Sequence, residues 1–139
     1  MTDKAVTGGC LCGAVRYEIH GAPMVAGHCH CGDCRKTSGA AHGTFAAYPE
    51  NAVKITGKLT HFKVKADSGM MADRGFCPVC GSWISGSPES VPGAVAITIA
   101  TFDNPEAVTP QMRFYDKRRI SWDVIDPALP AFADMPPRG

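Results

Sequence analysis

Residues 77–81 read CPVCG, and this stretch decides how the fold is held together. A Cys-x-x-Cys turn directs two thiolates at one metal ion, and Gly81 frees the backbone directly after it. A second pair lies in residues 10–13, CLCG, where Cys10 and Cys12 point the same way if the chain is extended. Together the two pairs predict a closed four-thiolate zinc site, which stabilises the fold and ties the N-terminal strand to a distant hairpin.

A third group of cysteines has no fourth member. Residues 27–43 read GHCHCGDCRKTSGAAHG, in which Cys29, Cys31 and Cys34 lie close together. Three protein ligands and one open position are typical of catalytic zinc sites, where water or substrate completes the coordination. Because zinc lowers the pKa of a bound thiol, we expect that a substrate sulfur can take the open position.

Two alternatives stay open for this group. His28, His30 or His42 could supply a fourth ligand and close a second structural site, since imidazole is a common zinc ligand. Two of the three cysteines could instead form a regulatory disulfide. The alternatives are compatible with each other, because loss of the metal would permit oxidation.

Composition limits the class of protein. The chain has 139 residues, of which 45% are hydrophobic and 19% charged, as expected for one globular domain. The formal net charge of +1 argues against non-specific nucleic-acid binding. The apolar run at residues 94–100 is too short to span a bilayer, and the N-terminus lacks the apolar core of a signal peptide. We therefore expect a soluble cytoplasmic protein without a membrane or nucleic-acid partner, whose clustered cysteines bind metal.

Short segments between Gly and Pro residues have the alternation or apolar character of strands. Helix is predicted only within residues 33–41, for a turn or two before Gly39. The tail from Asn104 is expected to contain loops and short edge elements. The last predicted strand is almost continuously apolar, which places it at the centre of a sheet. The predicted fold is mainly β, a single domain of short antiparallel strands held by zinc, with strands at residues 14–19, 43–48, 52–56, 59–64, 70–76, 82–86 and 94–102.

The sequence resembles the glutathione-dependent formaldehyde-activating enzyme family, which also contains centromere protein V. The similar stretches are GGCLCGAVRYE (8–18), HCHCGDCRKTSGAAHGTF (28–45), FCPVCGSWI (76–84) and RRISWDVIDPALPAF (118–132). The resemblance implies that residues 1–139 form one zinc-binding domain with a β-tent fold, as in the R-type methionine sulfoxide reductases. It also implies two zinc ions, a structural one on Cys10, Cys12, Cys77 and Cys80 and a catalytic one on Cys29, Cys31 and Cys34. Because three protein ligands hold a metal less firmly than four, the catalytic zinc is expected to be labile.

The activity implied by the resemblance is that of a carbon–sulfur lyase. Such an enzyme adds glutathione to formaldehyde, or a thiol to a related small electrophile, and gives S-hydroxymethylglutathione. Glutathione carries two carboxylates, so basic residues should line its site. The predicted substrate-binding residues are Arg35 and Lys36, directly after the third cysteine, and Arg74 is a further candidate. Water, His30 or His42 could protonate the new hydroxyl oxygen.

Two other functions compete with this interpretation. A non-catalytic zinc scaffold that binds a protein partner needs closed sites only, so the group of three cysteines disfavours it. Methionine sulfoxide reduction needs a nucleophilic cysteine outside the metal sites. All seven cysteines fall in metal-like groups, which disfavours that activity as well.

Overall fold

The computed structural model describes residues 5–66, 68–88 and 92–135. Within these ranges the chain forms ten short strands and one α-helix, α1, at Gly32–Ser38. The strands are β1 (Val6–Gly9), β2 (Arg16–Ile19), β3 (Val25–Cys29), β4 (Gly43–Pro49), β5 (Val53–Thr56), β6 (Thr60–Lys65), β7 (Met71–Phe76), β8 (Trp83–Gly86), β9 (Ala94–Thr98) and β10 (Met112–Phe114). No helix in the described ranges has the length and apolar character that crossing a bilayer requires.

The strands form two sheets. One has three strands in the order β1-β2-β5, and the other has seven in the order β10-β3-β4-β9-β8-β7-β6. β9 is the central strand of the larger sheet, as its apolar sequence predicted. β10 runs parallel to β3, whereas the other neighbours are antiparallel, which corrects the expectation of antiparallel strands throughout. A parallel pair needs a long connection, and the chain between β3 and β10 provides it.

The main hydrophobic core lies between the two sheets. Alternation along β2 exposes Arg16 and Glu18 and buries Tyr17 and Ile19. The buried pair packs in one cluster with residues of β4, β8 and β9, among them Tyr48. The smaller sheet therefore covers one face of the larger one, as in a β-sandwich.

The opposite face of the larger sheet carries a second cluster. Phe45 and Trp83 belong to the same strands as core residues but have opposite parity, so they point away from the core. They pack around Cys29, Cys31 and Cys34 together with Phe114. Strand alternation thus separates the core from the face that holds the three cysteines.

Most predicted elements are confirmed, and the last predicted strand is too long. The chain leaves β9 after Thr98 and makes a 3-10 turn over Ile99–Thr101, in which the Phe102 amide donates to the Ile99 carbonyl at 3.0 Å. The predicted helix and the edge element in the tail are present as α1 and β10. β1 and β3 were not predicted, because glycines interrupt their sequences VTGG and VAGHC.

Candidate functional site

The two cysteine pairs at residues 10–12 and 77–80 meet beside the main core. Their four sulfur atoms lie within 4.8 Å of one another. The Cys12 sulfur is 3.6 Å from that of Cys10 and 3.7 Å from that of Cys77. Tetrahedral coordination at a metal–sulfur distance of about 2.3 Å places neighbouring sulfurs about 3.8 Å apart. The geometry of this four-cysteine group therefore fits one metal ion.

The turn that carries the second pair provides hydrogen bonds that stabilise negative charge on its two sulfurs. The amides of Val79 and Cys80 donate to the Cys77 sulfur at 3.4 and 3.5 Å. Gly81 then takes a φ of +78°, the left-handed conformation predicted for a glycine at this point. Hydrogen bonding from the hydroxyl of Ser82, 3.2 Å from the Cys80 sulfur, lowers the pKa of Cys80 to about 5.

The three-cysteine group is built by the end of one strand and the start of one helix. Cys29 is the last residue of β3, and Cys31 is the N-cap of α1. The Cys31 sulfur accepts the amide of Cys34 at 3.3 Å, the hydrogen bond that a helix N-cap makes to the third helical residue. The Cys-x-Cys-x-x-Cys spacing therefore brings all three sulfurs within 4.8 Å of one another.

All three of these cysteines are buried and reduced. Their exposed fractions are 4%, 7% and 4%, and none of the seven cysteines forms a disulfide. Hydrogen bonds from the thiols of Cys29 and Cys34 lower the pKa of Cys31. Hydrogen bonding of Cys29 to Cys31 and Cys34 raises the pKa of Cys29. Without a cation, the group therefore stabilises one thiolate, whereas a divalent metal would stabilise all three.

The three-cysteine group forms part of the wall of a cavity. The rest of the wall is mainly apolar and aromatic and includes Phe45, Trp83 and Phe114. Trp83 is fixed by a 2.8 Å hydrogen bond from its ring nitrogen to the carbonyl of Ser85. A small molecule in this cavity would contact the sulfur atoms in surroundings largely shielded from water.

One buried cation faces this cavity. Arg74, on β7, is 8% exposed and stacks over the Trp83 ring, with its guanidinium carbon 5.7 Å from the ring centroid. One terminal nitrogen donates to the Cys34 sulfur at 3.7 Å. Its Nε and other terminal nitrogen have no hydrogen-bond partner among the described residues. Arg74 therefore offsets thiolate charge and keeps donors available for an anion.

The two residues predicted to bind substrate are placed elsewhere. Arg35 and Lys36 are exposed on α1 and are not among the described residues that line the cavity. Arg74, only a further candidate from the sequence, is the arginine that reaches the cysteines. The sequence feature that could have identified Arg74 is a charged residue at a buried position of a strand, since Ala72 and Arg74 lie on the same, buried side of β7.

The three histidines near the cysteines form contacts of their own. His28 Nδ1 is 2.7 Å from the Thr44 hydroxyl, and burial, reinforced by the neighbouring His42 and His30, lowers the pKa of His28 to about 4. His30 and His42 group with Asp123 rather than with the three cysteines. This arrangement disfavours the alternative in which a histidine closes the three-cysteine group. Asp123 was not predicted, because it comes from a loop of the C-terminal tail.

Comparison with solved structures shows the fold. A crystal structure of a Rhodobacter sphaeroides protein is similar to this chain with a TM-score of 0.59 and 20% sequence identity. The similarity covers 91% of this chain and 99% of that one. No curated protein sequence matches significantly.

Sequence comparison shows the family. The glutathione-dependent formaldehyde-activating enzyme family matches residues 5–118, a range that includes both cysteine groups and Arg74. The match agrees with the resemblance carried by the cysteine motifs, and it covers most of the chain. The protein therefore belongs to the glutathione-dependent formaldehyde-activating enzyme family.

Proposed function

We propose that this protein is a zinc-dependent carbon–sulfur lyase that adds glutathione to formaldehyde or a related small electrophile and gives S-hydroxymethylglutathione. Family membership supports an enzyme of formaldehyde activation. The single observation that carries the finer proposal is the wall of the cavity, where three buried cysteines lie beside a buried arginine. A scaffold protein has no need of such a cavity.

The two cysteine groups have different roles in this proposal. Cys10, Cys12, Cys77 and Cys80 would hold a structural zinc, and Cys29, Cys31 and Cys34 would hold a catalytic one. Bound at the three-cysteine group, zinc would keep a substrate thiol deprotonated near neutral pH. We place the enzyme in the cytoplasm, since seven unbridged cysteines suit a reducing compartment.

The residues of the cavity would bind and orient the thiol. Arg74 would pair with a carboxylate through its unpartnered N–H groups, and the aromatic wall would pack against the thiol. The thiol loses its proton to solvent on binding. The thiolate then forms a carbon–sulfur bond as the carbon–oxygen π bond opens, and the carbonyl oxygen takes up a proton. The described cavity lining includes no histidine, so we assign that proton to solvent water.

Exchange NMR on a mixture of glutathione and formaldehyde tests the proposal. The adduct also forms without protein, so the interconversion rate must rise in proportion to the concentration of zinc-loaded protein. We expect this rise, and we expect Cys31→Ser to abolish it while the variant stays folded. A rate that stays at background with wild-type protein would leave the family membership intact and exclude this reaction. Another thiol, another electrophile or the scaffold function would then have to be tested.

A further inference from the structure

Three side chains outside the cysteine groups converge on one point. His30 lies between β3 and α1, His42 directly precedes β4, and Asp123 belongs to the C-terminal tail. Their ligand atoms all lie within 4.8 Å of one another. The Asp123 Oδ2 atom is 2.7 Å from His42 Nδ1 and 3.4 Å from His30 Nδ1.

His30 is the member of this group whose burial is not explained by hydrogen bonds of its side chain. Its side chain is fully buried, yet neither ring nitrogen has a hydrogen-bond partner among the described residues. A neutral imidazole has one donor and one acceptor nitrogen, and both normally find partners when buried. The Asp123 carboxylate lies closer to His42 than to His30, and its 3.4 Å contact with His30 Nδ1 is not a hydrogen bond.

Backbone contacts fix the positions of these side chains. The His30 amide donates to the Phe114 carbonyl at 3.0 Å. The Asp123 amide donates to the Ile120 carbonyl at 3.0 Å, and Arg119 donates to the Asp123 carbonyl at 3.1 Å. Backbone hydrogen bonds and the Arg119 side chain therefore hold the loop that carries Asp123 beside the histidines.

We propose that His30, His42 and Asp123 form a separate metal site, which binds a divalent transition-metal ion through two imidazole nitrogens and one carboxylate oxygen. Ligands about 2.0–2.1 Å from a tetrahedral metal lie about 3.4 Å apart, which matches the separation between His30 and Asp123. The 2.7 Å contact between His42 and Asp123 has to lengthen by about 0.7 Å to reach this separation, and the partly exposed side chain of His42 gives it that freedom. Two imidazoles and a carboxylate form a donor set that suits zinc, cobalt and iron in the divalent state.

The partly exposed side of this site gives the metal a route of entry. The His42 side chain is 21% exposed, whereas those of His30 and Asp123 are 0% and 9% exposed. His42 also lines a surface depression together with Thr44. A fourth coordination position on this side would be open to water.

Cobalt titration tests this site independently of the proposed reaction. Protein whose cysteine groups are already loaded with zinc is titrated with Co²⁺, and the visible spectrum and bound metal are measured. We expect one further equivalent with a nitrogen and oxygen ligand spectrum, free of sulfur-to-cobalt charge transfer. His42→Ala and Asp123→Asn should each weaken binding at least tenfold. No further equivalent, or cobalt bound only with sulfur charge transfer, would overturn the proposal.

A matched control separates this site from ordinary histidine–carboxylate pairs. His61 Nδ1 is 3.1 Å from Asp73 Oδ1, but this pair is more exposed, and no third possible ligand joins it within the described part of the chain. His61→Ala should therefore retain the cobalt affinity of the wild-type protein. His42→Ala is preferred to a change at the fully buried His30 because it disturbs packing less, and circular dichroism checks its fold. Equal cobalt affinity in His42→Ala and the wild-type protein would contradict the proposal.

Discussion

Arg74 is a buried cation in the cavity wall, which also contains Asp73 and the three cysteines. A buried guanidinium is costly unless its charge is paired and its donors are bonded. The Cys31 thiolate supplies opposite charge, and the Cys34 sulfur accepts one of the guanidinium's hydrogen bonds. The donors that remain suit a carboxylate, which both ends of glutathione provide.

We predict that Arg74→Gln raises the glutathione concentration for half-maximal exchange roughly 10- to 100-fold, the range expected for a lost hydrogen bond to a charged group. Exchange NMR at several glutathione concentrations measures the effect, and zinc analysis checks that the metal is retained. Arg74→Lys should recover part of the loss, because it keeps the charge without the planar fork.

Arg35→Gln and Lys36→Gln provide the comparison. Both residues are exposed on α1, and the sequence alone made them the preferred anion-binding residues. If the loss of glutathione binding follows these variants and not Arg74→Gln, the assignment from the sequence is right and the assignment to Arg74 is wrong.

At the scale of elements, the pairing of β3 with β10 brings β10 into contact with the three-cysteine group. Gly27 lies opposite Met112 in this pair, and a β-carbon at Gly27 would lie 2.6 Å from the ring of Phe114 and 2.8 Å from the Met112 carbonyl oxygen. Phe114 is 1% exposed and packs in the same cluster as the cysteines. The close approach of the two strands therefore depends on a residue without a side chain.

Gly27→Ala should destabilise the domain by about 1–3 kcal/mol, because the added methyl group forces β10 away from β3. Urea unfolding of the zinc-loaded protein measures the change. Gly32→Ala is the matched control: a β-carbon there meets nothing within 4 Å, and Gly32 begins α1, where alanine is the better helix former. Equal stability of Gly27→Ala and wild type would contradict the tight packing of this strand pair.

The same strand pair shows what the sequence could not reveal. β3 has a weak strand signal because it contains small residues, and those same residues permit the close approach of β10. The two strands pair through a contact that is distant in sequence. Strands with local alternation, such as β2, were predictable. The cysteine groups were predictable because the ligands within each pair or trio are neighbours in the chain. Arg74 and Asp123 reach the cysteines and the histidines through contacts across the fold, which spacing does not encode.

For the whole molecule, the two cysteine groups differ in what they connect. The four-cysteine group joins the segment after β1 to the turn between β7 and β8, so it links both sheets beside the main core. The three-cysteine group uses residues from one short stretch on the opposite face. Structural zinc in small domains supplies about 10–16 kcal/mol, comparable to the whole stability of a domain. Loss of the first site should therefore unfold the chain, and loss of the second should not.

The most direct test compares Cys77→Ser with Cys31→Ser after saturation with zinc. Thermal unfolding is followed by circular dichroism, and the zinc released by a thiol-modifying reagent counts the cysteine-bound metal. We predict that Cys31→Ser unfolds cooperatively near the wild-type temperature and releases one zinc instead of two, whereas Cys77→Ser has no folded baseline. Equal unfolding of both variants, or a stable Cys77→Ser protein, would contradict the division into a structural four-cysteine site and a catalytic three-cysteine site.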